Sequence, residues 1–317
     1  MHTWLTNSLL LGTATLAAAC SCREPELPDN NTEDTDQEET GDTATTPTAD
    51  TGPEAPCTAP EVEPNDTLNE PTTLPTDVTG CGVFDIEGDF DHWSFELQQD
   101  GWLALRVEAT DDGSLANVAV IMSGTTTDVA AARDHNEDDE DVRMLIPALA
   151  DTYVVNVREE EAKFGERYTY EILASVAKEP EFFDDEGAFI DYVDELEPNN
   201  DPFTSPPLRN GDAILGFSDE QFDVDYYSLA VPPGRHELRF EVQAYAKGSV
   251  GDFVLTLFDS DLVDIKSRAN GEIGYEKDPV LVYNSDGDET LYLQIRDQEG
   301  RGNEAMWYLL TASIEAQ

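Results

Sequence analysis

Two sets of hard oxygen donors recur along this chain at fixed spacing. The first is Glu61, Glu63, Asn65 and Asp66, followed by Asp89 and Asp91; the second is Glu195, Glu197, Asn199 and Asn200, followed by Asp223 and Asp225. Carboxylates and amide carbonyls suit calcium, which takes about six to eight oxygens at roughly 2.3–2.6 Å. The short acidic segment can converge several oxygens, and the paired aspartates about 25 residues later can close the shell from a neighbouring strand. The same residues also suit a turn, in which Asn and Asp cap backbone N–H groups and Pro64 and Pro198 fix the chain. If both sites bind, Asn200 in place of Asp66 costs the second one negative charge.

Each set must be positioned by its own copy of one element. The segments match at a constant offset of 134 residues from Glu61 to Phe95, with Leu74 on Leu208 and Gly82 on Gly216. A gapless match of that length marks an internal repeat. After the motif, both copies alternate with period two. Trp93, Phe95 and Leu97 match Tyr227, Leu229 and Val231, which puts Trp93 and Tyr227 in the core and His92 and Tyr226 on the outside. Leu103, Leu105 and Val107 match Leu238, Phe240 and Val242 after a Gly-containing turn, and Tyr168 to Val176 aligns with Met306 to Ile314. Ser285-Asp286-Gly287-Asp288 reads as a tight hairpin turn. Short alternating runs separated by Gly, Asp and Asn predict an antiparallel β-sandwich in each copy. The fold class is therefore all-β, with two tandem jelly-roll-like sandwiches.

The repeats resemble the bacterial pre-peptidase C-terminal domain, through the Glu-Pro-Asn-(Asp/Asn) segment and the Asp-x-Asp-aromatic-aromatic strand that follows it. The resemblance covers about residues 57–177 and 195–317. It implies a jelly-roll-like sandwich found beside secreted proteases and in surface proteins. The collagen-binding modules of clostridial collagenases are similar to this family, and in them the acidic segment takes part in calcium binding, so the resemblance also implies calcium as cofactor.

The start of the chain reads as an address. Leu5 to Ala19 is mostly apolar or small over 15 residues, short for a membrane span. Residues 1–19 are the expected signal peptide, and Leu16-Ala17-Ala18-Ala19-Cys20 resembles a bacterial lipobox with Cys20 lipidated. By that resemblance, Ser21 favours an outer-membrane or cell-surface lipoprotein; cleavage without lipidation, giving a secreted protein, is the alternative. Residues 20–56 carry the anchor and a Thr-, Asp-, Glu- and Pro-rich stretch too poor in apolar residues to fold, expected as a disordered tether. In an oxidising compartment Cys57 and Cys81 pair, with Cys22 left over; the second repeat has no cysteine. Residues 178–194 form a connector whose Phe182, Phe183, Phe189 and Tyr192 are expected to fill the junction between repeats.

Charge limits the partners. With 69 acidic and 17 basic residues the net charge is -52, and only 11 of the acids lie between Glu24 and Pro56. Like-charge repulsion argues against nucleic acid, and against membrane contact other than through the lipid anchor. The balance suits divalent cations, basic partners or a salty medium. Catalytic signatures are missing: there is no His-Glu-x-x-His, no Gly-x-Ser-x-Gly and no phosphate-cradling glycine loop. The expectation is a non-catalytic surface binding or adhesion protein, leaving an extracellular protein or a glycan as the ligand classes open to it. A structural envelope or matrix component, or an accessory subunit of a separate hydrolase, is the alternative.

Overall fold

The computed structural model describes residues 58–109, 114–126, 130–134, 141–177, 179–183, 187–271, 278–303 and 305–317. The signal peptide, Cys20, the acidic tether and Cys57 lie outside these. Gly52–Gln317 forms one compact unit.

The first repeat supplies ten strands: β1 (Ala59–Pro60), β2 (Thr72–Thr73), β3 (Thr79–Val83), β4 (Phe90–Leu97), β5 (Gly101–Glu108), β6 (Val118–Gly124), β7 (Ala130–Asp134), β8 (Val142–Ala148), β9 (Asp151–Glu159) and β10 (Thr169–Ala177). They form two five-stranded sheets, ordered β1-β3-β10-β5-β8 and β2-β4-β9-β6-β7. The inner residues of both, among them Trp93, Phe95, Leu105, Val107, Val155 and Ile172, are buried in one core. Period-two alternation is what permits this, because it gives each strand one apolar face.

The second repeat supplies β11 (Val193–Asp194), β12 (Ala213–Phe217), β13 (Asp225–Gln243), β14 (Phe253–Phe258), β15 (Ile265–Asn270), β16 (Val280–Asp297) and β17 (Trp307–Ala316). They form one continuous hydrogen-bonded sheet, ordered β11-β12-β17-β13-β16-β14-β15. Every strand pairing stays within its own repeat.

One expectation is corrected. Ser285-Asp286-Gly287-Asp288 is no hairpin turn. It lies inside β16, and Pro233 pairs with Gly287 across the register shift between Pro233 and His236. Gly287 has φ 87°, and a Cβ there would stand 2.1 Å from the Gly234 carbonyl oxygen. Two long strands therefore bend where the first repeat breaks into β4/β5 and β8/β9. As expected, the long strands pair antiparallel; β1–β3, β2–β4 and β11–β12 are two-residue parallel pairs. Two of them carry the acidic segments, which enter beside a strand they run along.

A second apolar cluster joins the repeats. Phe182, Leu215, Trp307 and Leu309 are buried, with Trp102, Leu145, Ile190 and Tyr192 packed against them. Trp307 meets Trp102 edge-on at 5.6 Å and Phe182 at 5.7 Å, and its indole N–H donates to the Leu145 carbonyl at 2.6 Å. The Leu145 amide donates in turn to the Gly248 carbonyl at 2.8 Å. Phe182 and Tyr192 of the connector fill this joint, whereas Phe183 and Phe189 pack on each other at the surface. Trp307→Ala should cost about 3–5 kcal/mol, as removal of a buried aromatic does. In denaturant titrations we expect the single transition of the parent to separate into two, one for each repeat.

Candidate metal centre

Three carboxylates converge in each repeat. One oxygen each from Glu61, Glu63 and Asp91 lies within 4.8 Å of the others, and Glu195, Glu197 and Asp225 repeat the arrangement. Backbone geometry places them alike. The Glu61 carboxylate accepts the Val83 amide at 2.8 Å and Glu195 accepts Phe217 at 2.6 Å, each locking its first oxygen to the strand that follows. Glu63 and Glu197 accept the amides of Asn65 and Asn199. The carbonyls of those asparagines accept the His92 and Tyr226 amides at 3.1 and 3.0 Å, fixing the loop to β4 and β13. The Glu63–Pro64 and Glu197–Pro198 peptides are both cis. The turn-capping role is thus real, and it occupies half of these glutamate oxygens.

The remaining oxygens face one another. Asn65 and Asn199 are fully buried. One terminal atom of the Asn65 amide stands 3.0 Å from Glu63 Oε1 and 3.2 Å from Asp91 Oδ1. As nitrogen it donates to both; as oxygen it joins them as a third ligand of a cation. Glu61 Oε2, Asn199 Oδ1 and Asp225 Oδ1 are buried without a hydrogen-bond partner. Buried acceptors are normally satisfied, so orphaned oxygens aimed into a carboxylate cluster fit an oxygen-seeking cation. Among the described residues no Lys or Arg forms an ion pair with either cluster.

Of the other sequence candidates, Asp89 and Asp223 are buried; Asp89 accepts the Asp85 amide on one oxygen, and Asp223 accepts the Asp219 and Val224 amides on its two. Asp66 and Asn200 are exposed and stand outside the clusters, so the charge difference between them leaves the three-carboxylate core untouched.

Tyrosines absent from the sequence candidates complete the back wall. The Tyr170 hydroxyl donates to Asp91 Oδ2 and the Tyr308 hydroxyl to Asp225 Oδ2, both at 2.7 Å. Each tyrosine pairs directly across from a glycine, Gly82 or Gly216. A Cβ at either glycine would sit 2.2 or 2.3 Å from the ring. Trp93 donates its indole N–H to Tyr170, and Tyr227, its counterpart, reaches both Tyr308 and Glu195. The signal for these tyrosines was present: they occupy matching positions in the last strand of each repeat. His92 corrects an expectation, being buried rather than outward, with Nδ1 on the Asn65 carbonyl and Nε2 on Asn156.

Crowding and burial set the protonation. Burial first, and neighbouring carboxylates second, push Asp91, Glu61, Glu195 and Asp225 upward, with Glu61 at about 7. Burial likewise raises Asp89 to about 6. Burial and adjacent acids drive Tyr170 and Tyr308 well above the ordinary phenol range.

The chain matches no protein-family model and no curated protein. Among solved structures it is similar to the pre-peptidase C-terminal domain of collagenase from Bacillus anthracis, at 15% identity and TM-score 0.27, over 33% of this chain and 95% of that one. It is also similar to the M60 catalytic domain with the CBM51-1 and CBM51-2 domains of Clostridium perfringens ZmpB, at 8% identity and TM-score 0.23. That match covers 74% of this chain and 36% of the other, so the chain spans about a third of its length. The CUB1-EGF-CUB2 domain of human MASP-1/3 matches at 10% identity and TM-score 0.21, over 73% of this chain and 95% of that one. Likenesses this distant assign no activity.

Two outcomes follow from the site. Gly216→Ala should displace Tyr308 from Asp225 and cost about 1–3 kcal/mol, as overpacking does, read by chemical denaturation. In chelator, the raised carboxyls stay protonated in the folded protein where the unfolded chain has ionised them. Their contribution is complete below about pH 4 and is lost as pH rises through about 6–9, where Asp89, Glu61, Glu195 and Asp91 titrate in that order. The melting temperature without divalent ions should therefore fall between pH 5 and pH 8, and Asp91→Asn with Asp225→Asn should flatten that fall.

Proposed function

We propose that this chain is an exported, non-catalytic binding or adhesion protein whose two repeats each hold one calcium ion. The observation that carries the reading is the duplicated cluster: three carboxylates and a buried amide per repeat, with orphaned oxygens and no basic partner. Glu61, Glu63, Asn65 and Asp91 would hold the ion in the first repeat, and Glu195, Glu197, Asn199 and Asp225 in the second. The bound ion supplies the positive charge these groups lack and ties the acidic segment to the strand behind it. The donor set is all oxygen, which favours calcium over softer metals.

The remaining parts belong to the same proposal. Residues 1–19 direct export, Cys20 carries the lipid, and residues 20–56 hold residues 57–177 and 195–317 away from an outer-membrane surface, with 178–194 as connector. A Cys57–Cys81 bridge would pin the first acidic segment to β3.

Thermal unfolding with calcium, magnesium or chelator at fixed ionic strength tests the reading. At a calcium concentration of about 100 times Kd each site should contribute about 2.7 kcal/mol, or roughly 5–10 °C for a chain segment of this size. Asp91→Ala and Asp225→Ala should each remove part of the rise, and together all of it. Curves that coincide in calcium and in chelator would sink the calcium assignment.

A further inference from the structure

The second repeat carries a surface that the first lacks. Tyr226, Gln294, Thr256 and Arg268 stand directly opposite one another across β13, β16, β14 and β15. Their neighbours along these strands, such as Tyr227, Ile295 and Leu255, face the core, so this row lies on the opposite face, with Tyr226 and Gln294 half-buried, Thr256 buried and Arg268 exposed. Gln294 donates to the Tyr226 hydroxyl at 2.5 Å. That leaves the tyrosine O–H as a free donor and Gln294 Oε1 as a free acceptor. Arg268 is exposed and, among the described residues, makes no ion pair or hydrogen bond. One position along, Tyr292 on the same face meets the exposed ring of Phe203 at 6.2 Å, a second aromatic platform.

None of these residues is acidic, which is unusual where 69 of 317 residues are Asp or Glu. The corresponding row of the first repeat is His92, Asn156, Ile121 and Ala132. There the His and Asn satisfy each other, and the row ends without a cation. The repeats therefore share the frame and differ in what it displays.

We propose that this face binds a polysaccharide bearing uronic acid residues. Four strands at about 4.8 Å spacing set Tyr226 and Arg268 roughly 14 Å apart, the reach of two or three linked sugar rings. Tyrosine and phenylalanine rings offer stacking faces, and the Tyr226–Gln294 pair offers a donor and an acceptor for sugar hydroxyls. Arg268 presents a planar fork of donors that matches a planar carboxylate in bidentate fashion. The aromatic rings of Tyr292 and Phe203 favour a sugar polymer over an acidic peptide, because sugar rings stack on them. The net charge of -52 opposes an anionic polymer at long range. Screening shortens that repulsion to about 3 Å in molar salt, while contacts made at the face persist.

The inference rests on the reading of the chain as a binding protein and supplies its ligand class. We would measure retention of the full chain in affinity electrophoresis at high ionic strength, with calcium present throughout. Gels would contain polygalacturonate, neutral dextran, dextran sulfate or poly-glutamate. Retention on polygalacturonate alone is expected. Arg268→Ala and Tyr292→Ala should each weaken it at least tenfold without moving the melting temperature, and Arg143→Ala in the first repeat should leave it unchanged. Equal retention on dextran sulfate or poly-glutamate, binding insensitive to Arg268→Ala, or no retention on polygalacturonate would each overturn the proposal. A melting temperature that still rises with calcium in that last case would show that only the ligand assignment has failed.

Discussion

A carboxylate removed from water must find hydrogen bonds or opposite charge, and this fold buries one at the centre of each repeat among other carboxylates. Asp91 and Asp225 are almost wholly enclosed, and what meets them is a tyrosine hydroxyl. Much of the local architecture follows. The tyrosine lies flat across the neighbouring strand, so that strand must carry glycine directly opposite it. The hydroxyl must itself be oriented, and Trp93 does this in one repeat while Tyr227 does it in the other. The last strand of each repeat must pair beside the strand of that glycine, which constrains the sheet order.

Much of this was legible in the sequence, because it depends on near neighbours. The constant offset, the period-two strands and the clustering of the acidic residues all follow from residue order and alternation. Gly82 and Gly216 stood out as a matched pair, yet their reason lies on a strand nearly ninety residues away, where local pattern says nothing. His92 shows the other limit. Alternation placed it outward, as it does for Tyr226, but the loop carrying Asn65 folds back over it and buries it. Strand phase tells which way a side chain points and not what later covers it. The Ser-Asp-Gly-Asp segment has the composition of a turn because its glycine is needed for close approach, and the long partner strand keeps it extended.

The two repeats have drifted apart in ways that leave the buried cluster alone. One breaks its long strands at loops and the other bends them through glycine and proline, yet Asp91 and Asp225 keep the same tyrosine bond, and Glu61 and Glu195 each keep a backbone amide of the following strand. The outer faces carry the divergence. A row that ends in alanine in one copy ends in an unpaired arginine in the other, and a closed His–Asn pair is replaced by a Tyr–Gln pair with free valences. Duplication preserved the inner frame and left the solvent side open to change.

The joint at Trp307 has a consequence for modularity. Duplicated modules are commonly thought of as beads that can be excised, reordered or multiplied. Here Trp307, Phe182 and Leu309 belong to one sandwich or its connector, while their cover, Trp102 and Leu145, belongs to the other. Cutting between the copies would strip each of part of its own lining and leave a greasy scar on both. The pair is therefore joined by a shared lining. Any lengthening of such a chain would have to supply a new cover for that face.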